Sequence, residues 1–161
     1  MTTQAGRTQP TLHGAQVSLR PATTADIPTL ARIRATPGVR RWWRGADDLA
    51  AETAGDLANP EVQIFAIEHE GHLVGAIQWG AEEEPDYRHA RLDIYLDPSA
   101  HGRGLGTDSV RTLARRLVAD HGFHRLVIDP AADNAAAIRC YGKVGFQIGT
   151  ASCRERVYGR V

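Results

Sequence analysis

His101-Gly-Arg-Gly-Leu-Gly106 stands between an alternating segment, residues 91–97, and a basic stretch with apolar positions at Val110, Leu113, Leu117 and Val118. In the first segment Leu92, Ile94 and Leu96 face one way and Asp93, Tyr95 and Asp97 the other, so it reads as a strand. The second has the spacing of an amphipathic helix. A strand, a turn of three alternate glycines and a helix let backbone N–H groups converge on an anion at the helix N-terminus. Downstream, residues 125–129 form a short strand closed by Pro130. Asp133 or Asn134 then opens a second helix, which Gly145 ends within Tyr141-Gly-Lys-Val-Gly-Phe146. Asn134 and Tyr141 lie two turns apart on one face of that helix, where they could hold the remainder of a phosphate-bearing ligand.

Outward from this unit the chain alternates short elements. Residues 16–20 read as an edge strand. Thr23 or Thr24 caps a helix through Ala35, with Pro28 in its first turn, and Thr36-Pro37-Gly38 stops it. Residues 39–45 form a loop carrying Arg40-Arg41-Trp42-Trp43-Arg44, and Asp47 can cap a helix ending near Ala58. Strands over 62–69 and 73–79 join at Glu70-Gly71 as a hairpin. An acidic loop follows at 81–86, and residues 146–148 and 154–158 pair as a last hairpin. The order implies an α/β (α+β) chain with a mixed, mostly antiparallel sheet of six to seven strands flanked by about four helices. Residues 16–161 are expected as a single domain, behind a flexible tail over 1–15.

Composition narrows the function. The 161 residues are 42% hydrophobic and 24% charged with zero net charge, which argues against a general nucleic-acid binder. No apolar run reaches the ~20 residues of a membrane span, and the polar N-terminus lacks a signal-peptide core, so the cytoplasm is the expected location. Cys140 and Cys153 have no metal-ligand spacing, and no His-x-x-x-His pair occurs among the seven histidines, so no metal is expected. Cys140, in a helical pattern, reads as a small buried residue. Charge is unevenly spread: Glu82, Glu83, Glu84 and Asp86 are acidic, while Arg103, Arg111, Arg115 and Arg116 make the next stretch basic, and Lys143 is the single lysine.

The glycine turn has competing readings. A dinucleotide-binding turn would find Asp129 at the end of the next strand, but Thr107 stands where the third glycine of Gly-x-Gly-x-x-Gly belongs. The turn also comes too late for a doubly wound fold, and Asp93 and Tyr95 are foreign to a central parallel strand. No Gly-Lys-Ser/Thr follows, which excludes a Walker loop. Ala100-His-Gly-Arg-Gly-Leu-Gly-Thr107 resembles instead the pyrophosphate loop of the GNAT superfamily of N-acetyltransferases, whose pattern is Arg/Gln-x-x-Gly-x-Gly/Ala. His101 departs at the Arg/Gln position, but amides rather than that side chain cradle the phosphates. Asp129-Pro130, Asn134 and Ala137-Ile-Arg-Cys-Tyr-Gly-Lys-Val-Gly-Phe146 are similar to the aminoglycoside 6'-N-acetyltransferase group, with Gly142 standing where an acidic residue is usual. Arg41-Trp42-Trp43 and the acidic loop sit where that group has a Trp pair and a Glu-rich loop. Those enzymes usually run on past the last hairpin, where the tail helps form the pocket wall, whereas the sequence given ends at Val161.

The resemblance implies an acetyl-CoA-dependent N-acetyltransferase that works by direct transfer in a ternary complex. The implied acceptor is a small cationic amine, foremost the 6'-amino group of an aminoglycoside, with no nucleic acid, membrane or metal as partner and a monomer or homodimer as the assembly. A protein N-terminus or another amine metabolite is the alternative acceptor, and a non-catalytic CoA-binding regulatory module the alternative class. The transfer needs a base, a polarised thioester oxygen and an acid for the leaving thiolate. Asp93 is the candidate base against a structural strand aspartate, and Tyr141 the candidate acid against a core tyrosine. Amides around Tyr95 and Leu96, the turn His101, Gly102, Arg103, Gly104, Leu105, Gly106 and Thr107, and Asn134 are the implied cofactor contacts. Asp129, against a turn-forming role before Pro130, is the implied ammonium partner. One of Trp42 and Trp43 is expected to wall the acceptor pocket and the other to be core. Glu82 and Glu83, otherwise a solvated loop, are expected to steer a cation inward.

Overall fold

A computed structural model describes residues 9–149 and 156–159. One sheet organises them: β1 (Leu12–His13), β2 (Ser18–Pro21), β3 (Val62–His69), β4 (His72–Glu82), β5 (His89–Leu96), β6 (Leu126–Ile128), β7 (Phe146–Gly149) and β8 (Arg156–Gly159), in the order β1-β2-β3-β4-β5-β6-β8-β7. Every neighbouring pair is antiparallel except β5–β6. Five helices flank it: α1 (Ile27–Ala35), α2 (Pro37–Arg40), α3 (Leu49–Ala58), α4 (Leu105–Ala119) and α5 (Ala135–Val144).

The extra strand is β1, which falls within the expected tail. Its return turn is fastened by Asp108 of α4, whose carboxylate accepts from the backbone N–H groups of Ala15 (3.0 Å), Gln16 (2.7 Å) and Val17 (3.0 Å). Residues 1–8 and Cys153 lie outside the described residues. The extra helix is α2. Pro37 occupies its first turn, where a missing N–H costs nothing, so it restarts the chain rather than merely ending α1. Asp48, not Asp47, caps α3 by accepting from Ala51 N–H at 3.0 Å. β4 runs on through Glu82, so the acidic loop begins two residues later than the sequence reading of 81–86. The turn between β3 and β4 puts Glu70 (φ 50) and Gly71 (φ 79) in the left-handed region that a two-residue hairpin requires.

Two faces of the sheet have different work. Leu19, Phe65, Ile67, Ile77, Trp79 and Leu92 on one face meet Val110, Leu113 and Leu117 of α4 in the main apolar cluster. These core leucines are fully shielded, so truncating one to alanine costs about 2–5 kcal/mol. On the opposite face α1 packs against β4 and α3 and buries Leu30, Ile33 and Arg34. Arg34, with 2% of its surface exposed, donates to Thr53 Oγ1 (3.1 Å), Asp56 Oδ2 (3.3 Å) and Glu52 Oε1 (3.1 Å) on α3. Among the described residues no helix is long and apolar enough to cross a membrane.

Candidate active site

The site begins where two parallel strands part. β5 and β6 pair only at Ala90–Leu126, Arg91–Val127 and Leu92–Ile128, while β5 stays on β4 as far as Leu96 opposite Gly75. Ala90 N–H points to β6, bonding Arg125 O at 3.1 Å, and Asp97 N–H points to β4, bonding Val74 O at 2.7 Å. Strand amides alternate in direction, so Ile94 and Leu96 turn their N–H groups to the opening and Tyr95 turns its own to β4. The sequence reading named Tyr95 and Leu96. Of these, Leu96 turns its amide to the opening together with Ile94, while the Tyr95 amide is directed to β4, a distinction that needs the pairing partner and not the sequence pattern.

A cleft of about 400 Å³ occupies this opening, between Ile94–Leu96, the glycine turn and α5. Gly102 (φ 75) and Gly104 (φ 77) hold the left-handed backbone that aims the turn, and Gly104 precedes the first residue of α4. The first-turn N–H groups of α4 therefore face the cleft with the positive end of the helix behind them. Gly106 packs closely on this wall: a Cβ there would lie 3.4 Å from Cys140 Sγ and from Leu96 Cδ1, at the near edge of ordinary contact. His101 lines the cleft while its Nε2 meets Leu96 O at 3.0 Å. Thr107 Oγ1 lies 3.3 Å from Cys140 Sγ, and burial pushes that thiol's pKa up. Arg103 is not among the lining residues, and its carbonyl receives Gln16 Nε2 at 3.5 Å.

Asn134 and Tyr141 both line this cleft but are fixed differently. Asn134 is the N-cap of α5, its Oδ1 accepting from Ala137 N–H at 3.2 Å. Tyr141 is 7% exposed, with its ring edge-on to Phe146 and in the main apolar cluster. Desolvation, and then the charges of Cys140 and Asp93, push its phenol well above the ordinary tyrosine pKa. It is both a core tyrosine and a cleft residue, and it keeps its proton throughout the neutral range. Trp43 forms part of the wall, edge-on to Tyr95 with ring centroids 4.9 Å apart. Trp42 is half-buried under the Arg41 guanidinium, 4.5 Å from its ring centre, and lines neither cleft. Neither tryptophan of the pair is core; the buried indole is Trp79.

A second cleft, of about 550 Å³, lies on the other face of the same strands. Register sets its floor in three rows. Gln78 pairs with Asp93, and Asp129 stands one position past the end of β6, beside Asp93. The next row is Gly80, Arg91 and Val127, and the outermost lining residues are His89, whose β4 partner Glu82 lies outside the cleft lining, and Arg125 just before β6. Asp93 reaches solvent, but the cleft walls crowd its carboxyl from the remaining sides. That desolvation, with the Asp129 charge, raises its pKa to about 6, and Arg91 pulls weakly the other way. Gln78 and Arg91 were missed in the sequence, although Arg91 sits two residues before Asp93 on the same side of one strand.

The acidic loop is placed less centrally than expected. Glu82 and Glu83 are not among the lining residues of either cleft, and Glu83 is engaged by Arg88 Nε at 3.1 Å. Arg88 in turn donates to His121 O (3.0 Å) and Gly122 O (3.2 Å), so this bridge ties the hairpin tip to the end of α4. Among the described residues no group of three or more His, Cys, Asp or Glu side chains is arranged to hold a metal ion.

Comparison with known proteins agrees with this architecture. The profile of the acetyltransferase (GNAT) domain matches residues 16–147. The chain is 30% identical over 152 residues to the aminoglycoside N(6')-acetyltransferase type 1 of Klebsiella pneumoniae, covering 81% of this chain and 74% of that one. It is 26% identical over 149 residues to the spermidine N(1)-acetyltransferase of Escherichia coli K12, covering 86% and 76%. A solved structure of AAC(6')-Ib in complex with paromomycin and acetyl-CoA superimposes with a TM-score of 0.75 at 30% identity, covering 89% of this chain and 91% of that one. The parted β5 and β6, the left-handed glycines before α4 and the matched profile lead to one assignment: the chain belongs to the GNAT family of acetyltransferases.

Proposed function

We propose that the first cleft binds acetyl-CoA, that the second binds a primary amine, and that the acetyl group passes between them directly through the gap beside Asp93–Leu96. The observation that carries this reading is the divergence of β5 from β6 after Leu92–Ile128, which leaves one strand bordering both clefts. The donor fits the first cleft through backbone chemistry. The α4 N-terminus and the left-handed turn suit a pyrophosphate, and Ile94 and Leu96 offer amides to a pantetheine arm and thioester oxygen. Bound there, acetyl-CoA supplies the activated acetyl group. Asp93 and Asp129 hold the ammonium of the acceptor, and Asp93, with a pKa of about 6, takes the proton the amine must lose. Tyr141 holds its phenolic proton ready for the departing sulfur, and its raised pKa makes it a reluctant donor whose value lies in position. Trp43 walls the donor side of the gap, and Glu82, the strand partner of the cleft-lining His89, marks the outer end of the amine cleft.

The acceptor class that this site and the relatives support is an aminoglycoside acetylated at its 6'-amino group. The row of Asp93 and Asp129 suits an ammonium, and the aminoglycoside N(6')-acetyltransferase of Klebsiella pneumoniae aligns over most of the chain. CoA release from acetyl-CoA tests it over 6'-amino aminoglycosides, their 6'-hydroxyl analogues, polyamines and short peptides with free N-termini. Release with the 6'-amino compounds alone is expected. Release with the peptides instead would move the acceptor to a protein N-terminus. Acetyl-CoA binding without release from any amine would leave a CoA-binding regulatory module.

A further inference from the structure

The amine cleft is not uniformly acidic. Along β5 its charge reverses within two residues, from Asp93 beside Asp129 to Arg91 beside Val127. Residues two apart on a strand are about 7 Å apart on the same face. Arg91 is exposed, lines the cleft, and makes no hydrogen bond or ion pair within bonding distance among the described residues; only the weak field of Arg91 at Asp93 links the two. Its row partners are Gly80 and Val127, neither of which can neutralise it. Arg125 and Glu82 share the outermost row, so the charge there is mixed. The floor thus reads anionic at the gap and cationic at Arg91, one row further out.

We propose that Arg91 is a specificity-determining residue which selects acceptors by the group carried about 7 Å from the reacting nitrogen. It favours an anionic group there, carboxylate or phosphate, accepts a hydroxyl, and disfavours a second ammonium. A guanidinium fork offers paired N–H donors to a carboxylate or phosphate, can bond a hydroxyl oxygen, and repels a cation. This rests on the amine-transfer reading above. It sharpens the aminoglycoside reading too: the groups that reach Arg91 from a bound 6'-amino sugar must be hydroxyls, with further ammonium groups lying outward toward Glu82.

The test compares kcat/KM for 5-aminopentanoate, 3-aminopropyl phosphate, 5-aminopentanol and 1,5-diaminopentane in the wild-type chain, Arg91→Gln and Arg91→Glu. Each carries one primary amine at the near end and, when extended, holds its far group near the distance of Arg91 from Asp93. The expected wild-type order is anion, then hydroxyl, then ammonium, with at least a tenfold span. Arg91→Gln should level the order and Arg91→Glu reverse it. The two anionic arms separate carboxylate from phosphate recognition. The temperature midpoint, and its rise with acetyl-CoA, should be the same in all three proteins because Arg91 is exposed and outside the first cleft. An order that ignores the charge at position 91, or a wild type that prefers the diamine, overturns the proposal while leaving amine transfer intact. No CoA release from any amine, aminoglycosides included, in a protein that still binds acetyl-CoA would overturn the transfer reading itself.

Discussion

The two clefts share β5 but are made differently. The first is chiefly backbone: left-handed Gly102 and Gly104, the opening turn of α4, and the turned-out amides of Ile94 and Leu96. The second is chiefly side chain, with Gln78, Arg91, Asp93 and Asp129 brought together from three strands by register. A backbone site tolerates changes of side chain, and His101 in the Arg/Gln position is an example, because its ring is occupied with Leu96 O. A side-chain site changes its preference with each substitution. The same coenzyme chemistry can therefore serve unrelated acceptors, and the contrast predicts where substitutions should be catastrophic and where graded.

The largest effect belongs to Asp93. Asp93→Asn keeps the shape of the amine cleft but removes the proton acceptor, so turnover should fall roughly a hundredfold to ten-thousandfold with acetyl-CoA affinity retained. Stopped or steady-state CoA release read beside acetyl-CoA binding would check it, and near-normal turnover would remove Asp93 from the mechanism. The wild-type kcat/KM should rise with pH through about 6 and then level, since Asp93 acts only when ionised. That limb should vanish in the variant.

Tyr141 sits at the border between the two kinds of site, and its loss should be smaller. Tyr141→Phe preserves the buried ring against Phe146 and removes only the phenol, so turnover should drop at least tenfold with little change in melting temperature. An unchanged rate would make the residue structural only. Gly104→Ala probes the backbone site. An L-residue at φ 77 costs about 1–2 kcal/mol, and if the turn relaxes to avoid it, donor half-saturation should rise roughly tenfold with kcat nearly kept. A loss confined to kcat would break the division between the clefts.

Legibility followed the same division. The glycine turn, α4, the Asn134 cap and the Gly145 stop are local signals, each readable within one turn or loop. Asp93 was visible because alternation places it opposite the core-facing Leu92. What stayed hidden was assembled at a distance. β1 is two residues long and depends on Asp108, far along the chain, to hold its turn. Whether Ile94 or Tyr95 presents its amide depends on which neighbour each strand edge pairs with. Arg91 carried no motif, and its meaning appears only when β5 and β6 are set in register. Trp42 and Trp43 looked alike in sequence, and only α2 and Tyr95 separate them.

The smallest effect is one of stability, and it runs opposite to activity. The folded chain raises Asp93 from an ordinary aspartate pKa of 3.8 to about 6, so folding favours the protonated form. Between those values the folded state binds more protons than the unfolded one, and stability is lost as pH rises through this window. Above it, wild type carries a charge that the cleft and Asp129 disfavour, whereas Asp93→Asn does not. The variant should therefore melt slightly higher than wild type at pH 8, with the advantage shrinking as pH falls and gone below about pH 4. Solvent reaches Asp93 and screens the effect, so the difference should be a small one. Thermal melts of both proteins at pH 8 and pH 4 would measure it, and a variant less stable at pH 8 would mean that Asp93 is a structural strand residue whose charge the fold uses.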